Sequence, residues 1–264
     1  ADLESGVTYL YVKNSAEALG IVASNFYENP SKKLKLVGIT GTNGKTTTVS
    51  LLFDLFRRLG YNVGLLSTIQ NQINDEIIPS THTTPNPIEL NRLLAQMVAQ
   101  KCTHVFMEVS SHALVQGRVA GLDFTGGAFT NISHDHLDYH KTFIDYIRAK
   151  KLFFDTLSKT AFALSNKDDK RGLVMFEHCR AKTYTFALKR MADFKGKIIE
   201  NSFEALLLNI DKQEVWCRLI GEFHAYNLLT VYGVAILLGE EKESVLVELS
   251  ALGGDACHGS KCAT

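Results

Sequence analysis

Residues 41–46 combine the residue types and the spacing that bind phosphate. The stretch Gly41-Thr42-Asn43-Gly44-Lys45-Thr46 has the spacing Gly-x-x-Gly-Lys-Thr, which is the later half of the phosphate-binding loop pattern. The first glycine of the full pattern is missing, and Gly38 stands one residue out of register, so we interpret the stretch as a variant. Glycines let backbone N–H groups turn toward an anion. Lys45 can reach the outer phosphates of a nucleotide, and the Thr46 hydroxyl can bind magnesium.

A strand and a helix must hold this loop in place. Residues 34–39 are apolar and rich in branched side chains, which predicts a buried strand. Apolar residues at helical spacing predict a helix from near Lys45 to Leu59, where Gly60 ends it. The positive end of the helix dipole then faces the loop. An ordinary turn with a capping threonine is the alternative, but the order strand, loop, Lys-Thr and helix favours a phosphate site.

Acidic residues and histidines follow two further predicted strands. Glu108 ends the strand predicted over His104–Val109, where its carboxylate would be a magnesium ligand near the loop or simply a solvated acid. The strand predicted over Phe124–Thr130 is followed by residues 134–140, which hold three histidines and two aspartates. A transition-metal site, a polar loop and side chains that face the metals of a nucleotide all remain possible for this stretch.

Lys150 lies on the apolar face of a predicted helix. At about 100° per residue, the helix predicted over Thr142–Leu157 gathers its apolar residues on one side, with Lys150 in the middle: Phe143, Tyr146, Ile147, Phe154 and Leu157. A buried lysine is costly unless it is paired or chemically changed. The alternatives are that Lys150 snorkels to the surface or pairs with Glu108. Lys151 lies at the edge of the apolar face, where we expect it to reach water more easily.

Strands and helices alternate through the middle of the chain. This pattern predicts an α/β fold whose mostly parallel sheet is covered by helices on both faces. Ligands in such folds bind at the carboxyl ends of the strands, where the polar stretches lie. The remaining predicted elements are strands at Val7–Val12, Val63–Leu66 and Ala161–Leu164; helices at Ser15–Phe26 (capped by Ser15), Pro87–Gln100, Gly172–His178, Ala225–Leu238 and Lys242–Leu249; a loop or hairpin at 70–86; and a hairpin of Phe203–Ile210 with Glu214–Leu219.

Composition excludes several functional classes. The 264 residues contain 28 Lys and Arg against 28 Asp and Glu, which argues against bulk attraction to nucleic acid or anionic membranes. No apolar run reaches the roughly 18 residues of a membrane span, and the acidic start lacks the features of a signal peptide. The first three of the five cysteines suit buried, reduced thiols. Cys257, His258 and Cys262 form at most half a zinc site.

Four motifs together resemble the Mur ligases of peptidoglycan synthesis. They are GTNGKTT, HTTP, EVSSHAL and TNISHDHLDYH, and the resemblance covers roughly residues 6–253. EVSSH and DHLDYH are similar to the branch that adds the third residue of the stem peptide. The resemblance implies a central ATP-binding P-loop domain over 31–253, preceded by the remnant of an N-terminal domain and linker at 1–30. Residues 254–264 match nothing expected there and are interpreted as an appended tail.

The resemblance also implies roles for particular residues. The ATP-binding residues are Gly41, Thr42, Asn43, Gly44, Lys45, Thr46 and Thr47, with Asn227 on the adenine side. The magnesium ligands are Thr46, Glu108, His136 and Lys150, the last as a carbamate. Lys45, Lys150 and His136 are implied to be catalytic. The UDP-muramoyl-peptide is held by Thr83, Thr84, Ser110, Gln116 and Arg118. His224 stands where the family often has asparagine.

The implied reaction is ATP-driven amide-bond formation through an acyl phosphate. The substrates are UDP-N-acetylmuramoyl-dipeptide and a diamino acid, either L-lysine or meso-diaminopimelate, with ATP and Mg²⁺ as cofactors. We expect a cytoplasmic monomer that neither binds nucleic acid nor inserts into membranes, and little or no ligase activity from this chain alone. Two alternatives are an ATP-binding module without ligase chemistry and a ligase similar to folate polyglutamate synthetase. A module would not need the second anionic-substrate site that HTTP, Gln116 and Arg118 suggest.

Overall fold

Eleven strands form one mixed sheet in the computed structural model, which describes residues 6–80, 82–133, 142–202, 205–219 and 221–252. The strands are β1 (Lys35–Thr40), β2 (Val63–Leu66), β3 (Gln70–Ile73), β4 (Glu76–Pro79), β5 (His104–Glu108), β6 (Gly126–Phe129), β7 (Phe162–Asn166), β8 (Lys182–Ala187), β9 (Phe194–Asn201), β10 (Leu206–Ile210) and β11 (Gln213–Cys217). The helices are α1 (Ser15–Phe26), α2 (Lys45–Arg58), α3 (Pro87–Ala99), α4 (Ser111–Val115), α5 (Phe143–Asp155), α6 (Glu222–Leu237) and α7 (Lys242–Ala251).

The sheet is parallel in its middle and antiparallel at its edges. Its strand order is β11-β10-β9-β8-β7-β6-β1-β5-β2-β3-β4. The strands from β9 to β2 in this order run parallel, and a hairpin extends each edge. Strand β1 is central, between β5 and β6, so the loop that follows it lies in the middle of the carboxyl edge. The predicted mostly parallel α/β fold is confirmed.

Each face of the sheet carries its own hydrophobic core. Along β1, Leu36 packs into one core, whereas Val37 and Ile39 pack into the other. Apolar residues of α2, α6 and α7 fill the core that contains Val37, and those of α3 and α5 fill the opposite one. Both faces of the parallel strands are therefore covered, which explains why these strands have continuous apolar runs instead of alternation.

Three sequence predictions at the periphery are wrong. Residues 7–12 form no strand, because their large side chains are exposed and no neighbouring strand pairs with them. Helix α1 is capped by Asn14 instead of Ser15, and the Asn14 side chain accepts hydrogen bonds from the N–H groups of Ala16 and Glu17. The helix predicted over 172–178 is only a 3₁₀ turn at Leu173–Phe176.

Three elements escaped prediction. Strands β8 and β9 are partly exposed along their length and lack the apolar runs of the central strands. Helix α4 has five residues, too few to give a helical period. The other predicted elements are present with small shifts at their ends. The histidine-rich stretch 134–140, residues 203 and 204 of the predicted hairpin and the tail 254–264 lie outside the described residues.

The structure also bears on the cysteines and on the apolar character of the helices. Cys102 and Cys217 are buried free thiols, as predicted, whereas Cys179 is partly exposed. Among the helices of the described ranges, none combines the length and apolar character needed to cross a membrane.

His104 is buried at the amino end of β5, far along the strand from Glu108. It is 1% exposed, and its ring centroid lies 4.7 Å from that of Phe56 and 4.6 Å from that of Tyr61. Its Nδ1 lies 2.9 Å from Thr103 Oγ1, and its Nε2 has no hydrogen-bond partner among the described residues. Burial, reinforced by the charge of Lys35, lowers the pKa of His104 to about 4. The folded protein therefore holds this imidazole neutral.

We expect His104→Phe to reduce the sensitivity of folding to mild acid. The unfolded chain binds a proton at a pKa near 6.5 and the folded chain only near 4, so the wild type loses stability as pH falls through this window. Between pH 7 and pH 5 this single group should lower the free energy of unfolding by about 2 kcal/mol. Phenylalanine preserves the ring packing but does not titrate. Urea unfolding at both pH values measures the difference, and an unchanged pH dependence in the variant would contradict this account.

Candidate active site

The loop between β1 and α2 is held in shape by two glycines. A Cβ on Gly41 would lie 2.0 Å from Thr130 Oγ1, and a Cβ on Gly44 would lie 2.4 Å from Asn227 Oδ1. Gly44 also has φ +85°, a conformation that side chains disfavour. Only glycine fits at either position, so the spacing noted in the sequence has a steric cause.

Hydrogen bonds from Asn131 fix the front of the loop. The N–H of Thr42 donates to Asn131 O at 2.8 Å, and the N–H of Asn43 donates to Asn131 Oδ1 at 3.0 Å. These two N–H groups are therefore engaged within the protein. The N–H groups available for an anion are those of the first turn of α2, which lie beyond the reach of any helical carbonyl. The Lys45 ammonium lies over the loop and donates to the carbonyls of Gly41 and Thr42 at 2.9 Å.

Glu108 ends β5 directly beside the start of α2. Its carboxylate is 1% exposed. Oε1 accepts hydrogen bonds from Thr46 Oγ1 at 2.9 Å and from the N–H of Thr68 at 2.7 Å. Oε2 is buried and has no hydrogen-bond partner in the described structure. A buried carboxylate oxygen without a partner is costly, and beside a threonine hydroxyl it offers the hard oxygen donors that magnesium prefers. These residues therefore fit a magnesium ion.

The other proposed metal ligands are less complete. His136 lies outside the described residues. Within the ranges that the structure describes, no group of three histidine, cysteine, aspartate or glutamate side chains could hold a metal ion. A site built on Glu108 and Thr46 would therefore depend on ligands from elsewhere, such as phosphate oxygens and water.

Lys150 is buried beneath the phosphate loop. It is 1% exposed, and its Nζ donates to Gly41 O at 2.8 Å and lies 4.6 Å from the centroid of the Tyr146 ring. It makes no ion pair with Glu108 among its contacts. Burial, with a smaller contribution from the charge of Lys45, holds the pKa of Lys150 well below its usual range. The structure thus favours a neutral amine at this position.

Lys151 differs from its neighbour in partners more than in burial. Its Nζ lies 2.7 Å from Asp155 Oδ1 in an ion pair one helical turn away. Lys151 is 8% exposed and Lys150 1%, so Lys151 reaches water more easily, as expected, although both side chains are buried. The carboxylate of Asp155 is what makes burial of this ammonium tolerable. Among the described residues Lys150 has no such acidic partner, which sets the two lysines apart chemically.

One cavity gathers most of the residues proposed to bind the muramoyl peptide. Its volume is about 460 Å³, and its lining residues are Lys45, Thr46, Thr68, His82, Thr83, Thr84, Glu108, Ser110, Ser111, His112, Arg118, Tyr146 and Lys150. Gln116 does not line it but accepts a hydrogen bond from Arg118 Nε at 2.9 Å. Sequence reasoning assigned no role to Thr68, Ser111, His112 or Tyr146. His112 lies four residues after the end of β5, so the rule that ligands bind beyond the carboxyl ends of parallel strands (the strand-end rule) could have identified it.

Thr84 links the walls of this cavity. Its Oγ1 donates to the carbonyl of Glu108 at 2.8 Å and accepts from the N–H of Ser110 at 3.2 Å. Its own carbonyl accepts from Arg118 Nη1 at 2.7 Å. Ser110 in turn caps α4 by accepting from the N–H of Ala113. The hydroxyls and the guanidinium around this point form a polar surface suited to an anionic ligand.

A second cavity lies on the other side of the phosphate loop. Its volume is about 740 Å³, and its lining residues are Asn43, Gly44, Thr47, Asn131, Asn166, Asp168, Asp169, Glu222, Phe223, Tyr226 and Asn227. Asn227 is 3% exposed and packs against Gly44, whereas Phe223 is 64% exposed. An exposed aromatic ring beside amide and carboxylate side chains suits a nucleoside, which needs stacking and hydrogen bonding.

Asp168 organises the rim of this second cavity, and sequence reasoning missed it. Its carboxylate accepts hydrogen bonds from the N–H groups of Leu188, Lys189 and Arg190 and from the Tyr226 hydroxyl. These bonds together lower the pKa of Asp168, although partial burial opposes them. Asp168 follows β7 at the same edge as the other polar stretches, so the strand-end rule could have found it.

Comparisons with known proteins identify the family. The model of the Mur ligase middle domain matches residues 39–235. UDP-N-acetylmuramoyl-L-alanyl-D-glutamate–2,6-diaminopimelate ligase from Cytophaga hutchinsonii is 63% identical over 93% of this chain and 50% of its own length. The ligase of the same name from Bacteroides fragilis is 54% identical over 96% of this chain and 52% of its own. This chain spans about half the length of the curated relatives it matches.

Solved structures agree with this assignment. The structure of a UDP-N-acetylmuramoyl-L-alanyl-D-glutamate–2,6-diaminopimelate ligase superimposes with a TM-score of 0.81 at 25% identity, over 95% of this chain and 53% of that one. MurF from Acinetobacter baumannii gives a TM-score of 0.70 at 17% identity, over 95% of this chain and 52% of that one, which shows the shared fold alone. With a family model matched over most of its length and relatives above half identity, this chain belongs to the Mur ligase middle-domain family.

Proposed function

We propose that this chain is the ATP-binding part of a ligase that joins a diamino acid to UDP-N-acetylmuramoyl-L-alanyl-D-glutamate. The observation that carries the proposal is the pair of cavities on either side of the phosphate loop, one suited to a nucleoside and one lined by hydroxyls and Arg118. Lys45 and Thr46 face the smaller cavity, the one that contains Arg118, so a phosphate chain crossing the loop would meet an acid bound there. The names of the relatives favour 2,6-diaminopimelate over lysine as the diamino acid.

The proposed reaction has two steps. A carboxylate oxygen of the muramoyl peptide attacks the terminal phosphorus of ATP, the bond from that phosphorus to ADP breaks, and an acyl phosphate forms. The amine of the diamino acid then attacks the acyl carbon, phosphate leaves, and the amine proton is lost as the amide forms. The first step brings two anions together, so cationic groups are needed where they meet.

The residues of this chain divide that work. Lys45 and the first turn of α2 bind the phosphates, and Arg118, Thr84 and Ser110 orient the acid. Glu108 and Thr46 would hold magnesium, which supplies positive charge between the carboxylate and the phosphoryl group when bound. The Asn227 and Phe223 side chains would receive the adenosine. Thr83 and Gln116 would add contacts to the muramoyl peptide, and Thr47 would add a contact to ATP.

Lys150 is proposed to act as a carbamate. Its neutral amine can attack carbon dioxide, and loss of a proton then leaves a carboxylate on a long side chain. It lines the same cavity as Glu108 and Thr46, so the carbamate would be a further oxygen ligand for the cation. An ammonium in that place would repel the metal.

A nucleotide-binding module without ligase chemistry is the competing function. It would bind ATP and leave the cavity around Arg118 without a ligand. Calorimetry with UDP-N-acetylmuramoyl-L-alanyl-D-glutamate separates the two functions, because only the ligase binds it. In a polypeptide with the flanking regions of its relatives, phosphate release should require this substrate and be faster with diaminopimelate than with lysine. A module would release phosphate at the same rate without either compound.

We expect Lys45→Ala to abolish most ATP affinity without unfolding the protein. The ammonium lies over the loop and is only partly buried, so its loss removes phosphate contacts and little packing. Calorimetric titration with ATP and magnesium should show a Kd on the order of 100-fold higher, as expected for the loss of a charge-assisted phosphate contact. Lys32→Ala, on the exposed surface, is the matched control and should bind normally. Equal affinity in both variants would refute the loop assignment.

We expect Lys150→Ala to be rescued by small acids. In a catalytically active polypeptide that includes the flanking regions, this variant should lose activity, and added acetate or formate should restore part of it by replacing the carbamate. Lys151→Ala should keep its activity, although loss of the Asp155 ion pair should lower its melting temperature. Rescue by amines instead of acids, or inactivity of the Lys151 variant alone, would show that the carbamate assignment is wrong.

We expect the chain by itself to turn over slowly. Both cavities are partly open to solvent, so water can reach an acyl phosphate and nothing in the described residues closes over the amine. Phosphate release with ATP, the muramoyl dipeptide and diaminopimelate measures this. Turnover on the order of 1–1000 per second, typical of complete enzymes, would contradict the expectation.

A further inference from the structure

Helix α1 packs tightly against the turn that carries Arg118. The Ser24 hydroxyl is 1% exposed and donates to the carbonyl of Gly121 at 3.0 Å. One helical turn earlier, a Cβ on Gly20 would lie 2.5 Å from Ala120 O and 2.9 Å from Ala120 Cβ. The helix backbone therefore touches the turn backbone with no space for a side chain between them.

The turn depends on this contact for its path. It spans residues 116–121 and contains Gly117 at φ +64° and Gly121 at φ +78°, both in the left-handed region. A Cβ on Gly121 would lie 3.0 Å from Ile21 Cα, so the backbones of the turn and of α1 are in close contact at this glycine as well. Glycines in the left-handed region leave the unsupported turn many conformations, and the helix surface selects one of them.

The position of the turn determines where Arg118 points. The Arg118 N–H donates to Ala113 O at 2.9 Å, which ties the turn to α4. Its guanidinium donates to the carbonyl of Thr84 at 2.7 Å, and Thr84 donates to the carbonyl of Glu108. A continuous series of contacts thus runs from α1 through the turn to the polar wall of the smaller cavity.

We propose that α1 positions Arg118 for the acidic muramoyl peptide, with Gly20 and Ser24 as positioning residues that touch no ligand. This inference rests on the proposed function and adds a determinant of substrate affinity outside the cavity. The nucleoside cavity is lined by the phosphate loop and the first turn of α2, by residues at and after the ends of β6 and β7, and by α6, and none of these residues lies in α1 or in the turn. Displacement of the turn should therefore weaken binding of the peptide substrate and leave ATP binding unchanged.

The test is Gly20→Ala, because alanine favours the helix and still forces the turn to move. Calorimetry should show UDP-N-acetylmuramoyl-L-alanyl-D-glutamate bound about tenfold more weakly, as expected when one charge-assisted hydrogen bond is lost, with an unchanged Kd for ATP and magnesium. Ser24→Ala, which removes the hydrogen bond to Gly121 and a longer one of 3.5 Å to Asn29 Oδ1 but adds no atoms at the contact, should have a smaller effect in the same direction. Asn25→Ala on the exposed side of the same helix is the matched control and should bind both ligands normally.

Amide hydrogen exchange provides a measurement that does not depend on the ligand. Residues 116–121 should exchange faster in Gly20→Ala and Ser24→Ala than in Asn25→Ala, while the residues of α2 should exchange at the same rate. Unchanged exchange and unchanged peptide affinity would overturn the inference, and so would an equal loss of affinity for both ligands, which indicates general destabilisation. Failure of the unaltered chain to bind the muramoyl dipeptide would instead refute the proposed function on which the inference rests.

Discussion

The buried carboxylate of Glu108 is the interaction that ties the start of α2 to the wall of the smaller cavity. Through one oxygen it joins the end of β5, the first turn of α2 and the backbone after β2. β2 and β5 are already paired in the sheet and α2 packs against them, so the carboxylate fixes how the ends of these three segments meet at the carboxyl edge. Its second oxygen is buried without a hydrogen-bond partner among the described residues, which carries an electrostatic cost at the centre of the site. A cation bound there would remove that cost, which couples local stability to ligand binding.

The central strands and helices could be predicted from the sequence because strands that are buried on both faces have continuous apolar runs. Strand β1 and helix α2 begin and end within one residue or so of their predicted bounds, since a continuous apolar run is followed by glycines whose positions are sterically fixed. Glu108 could be placed at the end of β5 for the same reason. The strand-end rule then brings polar side chains from separate strands to one edge, where Glu108 and Thr46 are in contact.

Other features could not be read from the sequence because they depend on partners far along the chain. The role of Asn131 in binding the loop N–H groups requires the path of the chain after β6. The partner of Lys151 lies on its own helix, yet the helical wheel cannot show which neighbouring elements bury the pair. Residues 7–12 have strand-forming composition but pair with no strand of the described sheet, so local propensity failed there. The contact between Gly20 and Ala120 has no sequence signature at all.

The packing of Asn227 against Gly44 has a consequence for the order of folding. Asn227 also accepts a hydrogen bond from the Thr48 hydroxyl, and these two residues are 179 positions apart in the chain. The phosphate loop therefore lacks its contact with Asn227 until α6 has been synthesised and has packed against it. Parallel strands already delay folding, because each pairing closes a long stretch of chain. During translation, nucleotide affinity should therefore appear late and abruptly. A ribosome-bound intermediate that ends before α6 would contain the complete glycine-rich motif and still present no formed binding site.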